Sequence, residues 1–181
     1  MLEREIKLAY RSIREARAAV AAAGASLLHP RRLQRDTVFD TADQSLRERG
    51  CVLRVRDDAG RSVLTFKGPV HPAAMKLREE YETAVDDGDA LLQVLGALGY
   101  RSWFTYEKYR EEYSLRGITL AIDETPVGVF VELEGEEAGI LSAARALGRT
   151  AEEFILQSYR SLFLARRDEL GLRDDMVFAD S

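Results

Sequence analysis

With 181 residues, 46% of them apolar and 31% charged, the chain has the length and composition of one globular domain with a core of its own. The net charge of −5 argues against a whole-surface nucleic-acid binder but allows a local basic pocket, and no apolar run is long enough to span a bilayer. Cys51 is the only cysteine and His29 and His71 the only histidines. An internal disulfide is excluded, a reducing cytoplasm fits, and any metal would be a hard cation held by oxygens.

In chain order, "MLEREIKLAY" reads as a strand with Glu3, Glu5 and Lys7 at alternate positions. Ser12 and Glu15 have capping-box spacing for a helix through Ala23 that stops at Gly24. Residues 32–41 are rich in β-formers, and "VLRVR" (52–56) and "SVLTFK" (62–67) flank the hairpin signal "DDAGR". Residues 75–85 form the next strand, and Asp89 is placed as the cap of a helix through Leu98. The aromatic content of residues 103–115 favours a long strand, followed by a turn at Arg116-Gly117 and strands at 118–123 and 129–135. A helix is expected from Glu137 to Leu147, and a capping box at Thr150 and Glu153 is expected to open a last helix toward Arg167. The last dozen residues carry no signal. No repeat or linker interrupts the chain, so the expectation is a single domain over 1–181, with a core of about 2–167, a short C-terminal tail, and no domain ahead of residue 2.

Eight strands joined mostly by short connections imply an antiparallel sheet. The two-residue period sorts the charges onto one face: Glu3, Glu5 and Lys7; Arg54 and Arg56; Lys67; Arg78, Glu80 and Glu82; Lys108 and Arg110; Asp123; Glu132 and Glu134. The alternate positions are mostly large and apolar. A solvated face normally mixes Thr, Ser and Gln with its charges, whereas these positions are nearly pure Glu, Arg and Lys in blocks of one sign. Such blocks suit a metal–polyphosphate complex, because hard oxygens take the cation and forked donors take phosphate oxygens. Curling the sheet with the charges inside gives an eight-stranded barrel whose apolar exterior is covered by helices, with Leu91, Leu92, Leu95 and Leu98 as packing residues.

The ordered set "EREIK", "DTVFDT", "VLRVR", "LTFKGP", "LREEYET", "YEKYREEY", "LAIDETPVGVFVELEG" and "QSY" resembles the CYTH family, the triphosphate tunnel metalloenzymes, from Leu2 to about Leu164. The resemblance implies an α+β fold: an eight-stranded antiparallel tunnel with a charged interior, helices outside, a triphosphate substrate, and Mg²⁺ or Mn²⁺. By position, Glu3, Glu5, Asp123, Glu132 and Glu134 resemble the metal-binding acids. Lys7, Arg54, Arg56, Lys67, Arg78, Lys108 and Arg110 resemble the triphosphate-holding bases. Glu80, Glu82 and Tyr159 belong to the tunnel wall without an assigned role, and Lys7 is the candidate proton acceptor. Hydrolysis of inorganic tripolyphosphate, a nucleoside triphosphate or thiamine triphosphate is favoured. The alternatives are a class IV-type adenylyl cyclase making cyclic AMP and pyrophosphate from ATP, and a non-catalytic polyphosphate- or nucleotide-binding module. The expected partner is a small-molecule triphosphate in the cytoplasm, with no nucleic acid and no membrane; a homodimer is left open.

Overall fold

Alternating charged and apolar side chains can satisfy a sheet only if its two faces meet different surroundings, and here closure provides them. The computed structural model describes residues 2–179. Its antiparallel strands are β1 (Leu2–Tyr10), β2 (Ser26–Asp40), β3 (Val52–Asp58), β4 (Arg61–His71), β5 (Lys76–Val85), β6 (Arg101–Leu115), β7 (Ile118–Thr125) and β8 (Gly128–Glu134). They close in the order β1-β5-β4-β3-β2-β6-β7-β8. β1 is the closing strand, pairing Glu5 with Lys76 of β5 on one edge and with Glu134 of β8 on the other. The helices α1 (Ile13–Ala22), α2 (Ser45–Glu48), α3 (Gly88–Ala97), α4 (Glu137–Ala146) and α5 (Tyr159–Arg166) lie outside. The fold is therefore the α+β barrel expected. No helix among the described residues is long and apolar enough to cross a membrane.

The apolar core sits between the barrel's outer face and these helices. Ile6, Leu8, Leu120, Ile122, Val131 and Leu133 are fully buried against Ala16 and Val20 of α1 and Ile140 of α4. A Cβ at Gly139 would stand 2.4 Å from Ile118 Cδ1, so this glycine lets α4 lie close on β7. A second cluster joins Tyr159 and Phe163 of α5 to Val38, Phe104, Phe130 and Met176. In a third, Leu95 of α3 covers Phe39 and Val55. The hairpin turns use left-handed pairs, Ala59 (φ 53°) with Gly60 (87°) and Arg116 (51°) with Gly117 (82°), which match the twist of the flanking strands.

Four local expectations are corrected. Asp87, not Asp89, caps α3, its side chain accepting the Ala90 N–H at 2.9 Å. On that helix Leu91 and Leu95 pack inward, whereas Leu92 and Leu98 are exposed, because a short amphipathic helix presents only one stripe to the barrel. The Thr150–Glu153 capping box forms but opens only a 3₁₀ turn, Ala151–Glu153. There the barrel competes for the backbone: Ile155 exchanges both hydrogen bonds with Lys7 (2.9 and 3.0 Å), so helix resumes only after the Ser158 cap. The C-terminal segment is also tied down, since Met176 bonds to Thr105 and Glu107 along β6 and is fully buried.

Candidate active site

The inward positions of the barrel enclose a cavity of about 540 Å³. Of the residues singled out in the sequence, Glu3, Glu5, Lys7, Arg54, Arg56, Lys67, Arg78, Glu80, Glu82, Lys108, Arg110, Glu132, Glu134 and Tyr159 all line it. Asp123 alone does not; it lies behind the wall, fully buried.

The charges are arranged as pairs across neighbouring strands. Lys7 donates to Glu5 (3.0 Å) and lies 3.3 Å from Glu132, and Lys76 donates to Glu5 as well. Lys67 bridges Glu3 (2.8 Å) and Glu80 (2.6 Å). Arg54 donates to Thr65 Oγ1 (3.0 Å), sits 3.6 Å from Glu82, and shares the buried Asp36 with Arg56, whose Nε donates at 2.9 Å. Asp123 accepts from Lys108 Nζ (2.9 Å), from Arg110 Nε (2.7 Å) and Nη2 (2.6 Å), and from the Tyr159 hydroxyl (2.7 Å). Arg110 also donates to Glu132. Arg78 reaches only the Gly50 carbonyl, at 3.5 Å, and its buried Nε has no hydrogen-bond partner among the described residues.

These surroundings sort the titrations. Burial alone would lower Lys7, but Glu5 and Glu132 outweigh it and hold the ammonium above its ordinary value. Lys7 is therefore charged at neutral pH, which opposes its service as a proton acceptor. Lys108 goes the other way, pushed down to about 8 by burial and the neighbouring Arg110. Glu132 stays ionised because Lys7 and Arg110 overcome its burial. Glu3 is pushed up to about 8 by burial and its hydrogen bond with Glu80, and Glu134 is raised by burial and by Glu5 and Glu132.

Raised carboxyls amid fixed negative neighbours are what a hard cation relieves. Among the described residues no group of three or more carboxylates stands ready-made as an ion cage, since Glu5 and Glu132 are engaged by Lys7. The donor set Glu3, Glu5, Glu132 and Glu134 nonetheless fits Mg²⁺ or Mn²⁺ in chemistry, being all carboxylate oxygen. Asp123 does not fit, because its oxygens already accept four hydrogen bonds.

A linked proton should accompany ion binding. Glu3 is mostly protonated at pH 7, below its value of about 8, and a carboxyl must ionise to ligate. Calorimetric titration with Mg²⁺ at pH 7 in two buffers of different ionisation enthalpy should show release of about one proton, with affinity rising up to about pH 8. Buffer-independent heat would contradict this.

Several lining or supporting charges were missed in the sequence, Glu112 and Arg160 of the cavity lining among them. Lys76 has the same parity as Arg78, Glu80 and Glu82 and was findable by the same count. Asp36, which holds both Arg54 and Arg56, shares its face with Gln34 and Val38, so no block of charge announced it.

A closed antiparallel barrel with paired charges inside and helices outside defines a tunnel-type domain. The CYTH domain model matches residues 1–160, and the chain belongs to that family. A Methanocaldococcus jannaschii protein named "Putative adenylate cyclase" is 30% identical over 143 residues, covering 73% of this chain and 82% of that one. Among solved structures, a Pyrococcus horikoshii OT3 protein aligns with TM-score 0.74 and 26% identity over 91% of this chain and 99% of that one. A Hippeastrum protein described as a putative adenylyl cyclase with a dominant triphosphatase activity aligns with TM-score 0.64 and 20% identity over 90% of this chain and 95% of that one, which is a likeness of fold.

Proposed function

We propose that the protein hydrolyses a triphosphate inside the barrel in a divalent-metal-dependent reaction. The observation that carries this reading is the convergence of eight cationic side chains from five strands on one cavity that also holds the carboxylates paired with several of them. Three linked phosphates bring about four negative charges, and Lys7, Arg54, Arg56, Lys67, Arg78, Lys108 and Arg110 offer forked or point donors to their oxygens. Glu3, Glu5, Glu132 and Glu134 would hold Mg²⁺ or Mn²⁺, which when bound supplies Lewis-acid polarisation of phosphoryl oxygens. Water attacks the terminal phosphorus in line, and the arginines and lysines neutralise charge that builds on the departing diphosphate. Asp123 fixes Lys108 and Arg110 in place, and Glu80 and Glu82 orient Lys67 and Arg54. Tyr159 lies within 5.1 Å of Lys7 and 5.2 Å of Lys108, packing beneath both ammonium groups while anchoring α5.

The name of the M. jannaschii relative favours a second reading, cyclisation of ATP with the same clamp. The two differ in which phosphorus is attacked, so products decide between them. ³¹P NMR with Mg²⁺ or Mn²⁺ and tripolyphosphate, ATP or thiamine triphosphate should show orthophosphate plus a diphosphate. Pyrophosphate with cyclic AMP from ATP would overturn hydrolysis in favour of cyclisation; binding without turnover would mark an idle module.

A further inference from the structure

Beside α5 the lining of the cavity changes from charged to aromatic. Val38, Val52, Trp103 and Phe104 line it there with Arg160. The Arg160 guanidinium lies 4.6 Å from the Trp103 ring centroid and 5.9 Å from that of Phe104, and Arg47 of α2 lies 5.5 Å from Trp103. Two donors are left over. Trp103 Nε1 is buried without a hydrogen-bond partner among the described residues. Arg160 has ring contacts but no carboxylate or carbonyl partner among the described residues, and burial together with Arg47 and Arg167 lowers its pKa. A phosphate chain gains nothing from apolar walls, whereas a flat organic ring would bury them and meet the Arg160 guanidinium.

Building on the triphosphate reading above, we propose that Trp103 and Arg160 form a base-recognition subsite that selects an oxo-purine nucleoside triphosphate, guanosine or inosine, over adenosine. Guanine and hypoxanthine present O6 and N7 as adjacent acceptors, which the arginine fork matches. Adenine presents its N6 amine there, and a donor would face a donor. The lining carboxylate Glu82, which could accept from an amine, is drawn to Thr65 Oγ1 (3.1 Å) and Arg54 (3.6 Å). The cationic ring of thiamine triphosphate would meet Arg47 and Arg160 with like charge.

The test compares kcat/KM for GTP, ITP, ATP and tripolyphosphate, and reads binding separately. GTP and ITP should be alike and each about tenfold or more above ATP, the discrimination typical of one bidentate pair. In Arg160→Gln the GTP:ATP ratio should fall to about one, because an amide can pair with adenine N6 and N7. The ratio is internal to each preparation, so partial misfolding does not imitate the result. Trp103 is the only tryptophan, so its emission reports this subsite directly during titration with non-hydrolysable guanosine and adenosine triphosphates. A larger, tighter response to the guanosine analogue supports the subsite even if no substrate turns over, an outcome that would sink hydrolysis alone. Hydrolysis of all four substrates with a GTP:ATP ratio near one in the wild type, or equal emission responses, overturns the subsite and leaves hydrolysis standing.

Discussion

Replacing Asp123 with Asn should lower stability by about 3–5 kcal/mol, the usual consequence of removing one partner from a buried ionic cluster. The carboxylate is fully buried and accepts four hydrogen bonds: two from Arg110 and one each from Lys108 and Tyr159. Asn preserves size but turns an N–H₂ group toward donors and removes the balancing charge. Arg110 keeps Glu132, while Lys108 loses its only ion-pair partner among the described residues. For a chain of this length the loss corresponds to a fall in Tm of roughly 10 °C, measurable by calorimetry at pH 7. Tyr159→Phe removes one hydrogen bond to the same oxygen and should cost only about 1.5–3 kcal/mol. At a temperature where the Asn variant is folded, Mg²⁺ affinity should be close to wild type, because the four donors on Asp123 occupy its oxygens. An unchanged Tm, or loss of Mg²⁺ binding from the folded variant, would contradict that role.

Legibility in the sequence followed the strength of the local pattern. Glu3, Glu5 and Lys7, or Arg54 and Arg56, are visible because a strand alternates strictly and each of these faces carries only charge. The closed barrel was read from that, because nearly pure Glu, Arg and Lys in blocks of one sign suit an enclosed ligand better than a solvated face, which normally mixes Thr, Ser and Gln with its charges. Features decided by competition between elements were not legible. The Thr150–Glu153 cap is a good helix signal, yet Ile155 is claimed by Lys7 of β1, and no local rule contains that pairing. Met176 bridges β6 from a segment without periodicity, so its burial depends on the aromatic cluster that receives it. Asp123 was placed by parity among the inward acids, which is correct for direction but silent on depth. Its neighbours Lys108 and Arg110 on β6 close over it, which makes it a foundation instead of lining. Lys7 shows the same limit, since strand position brings it to the cavity but Glu5 and Glu132 set its charge.

Glu3→Gln should reduce metal-dependent turnover by about a hundredfold or more, since a ligand to a cation contributes several kcal/mol in the transition state, and yet it should not weaken the fold. The reason lies in the direction of the Glu3 titration. Its folded value of about 8 stands above the 4.5 expected for an unfolded glutamate, because burial and the bond with Glu80 disfavour the anion. Between those values the native state holds a proton that the unfolded chain has lost. Wild-type stability therefore falls as pH rises from about 4.5 through about 8 by way of this group. Gln mimics the protonated form and has no such slope, so the variant should match wild type near pH 5 in intrinsic stability and exceed it at pH 9 in urea unfolding without metal. Glu132→Gln should behave oppositely in stability. That carboxylate is held ionised by Lys7 and Arg110, so its removal leaves both cations short of a partner and destabilises the fold at pH 7. Both variants should lose turnover, but only one should gain stability in alkali. Retained metal-dependent turnover in Glu3→Gln would show that Glu3 is not a ligand, and lost stability at pH 9 would show that its carboxyl is not electrostatically strained.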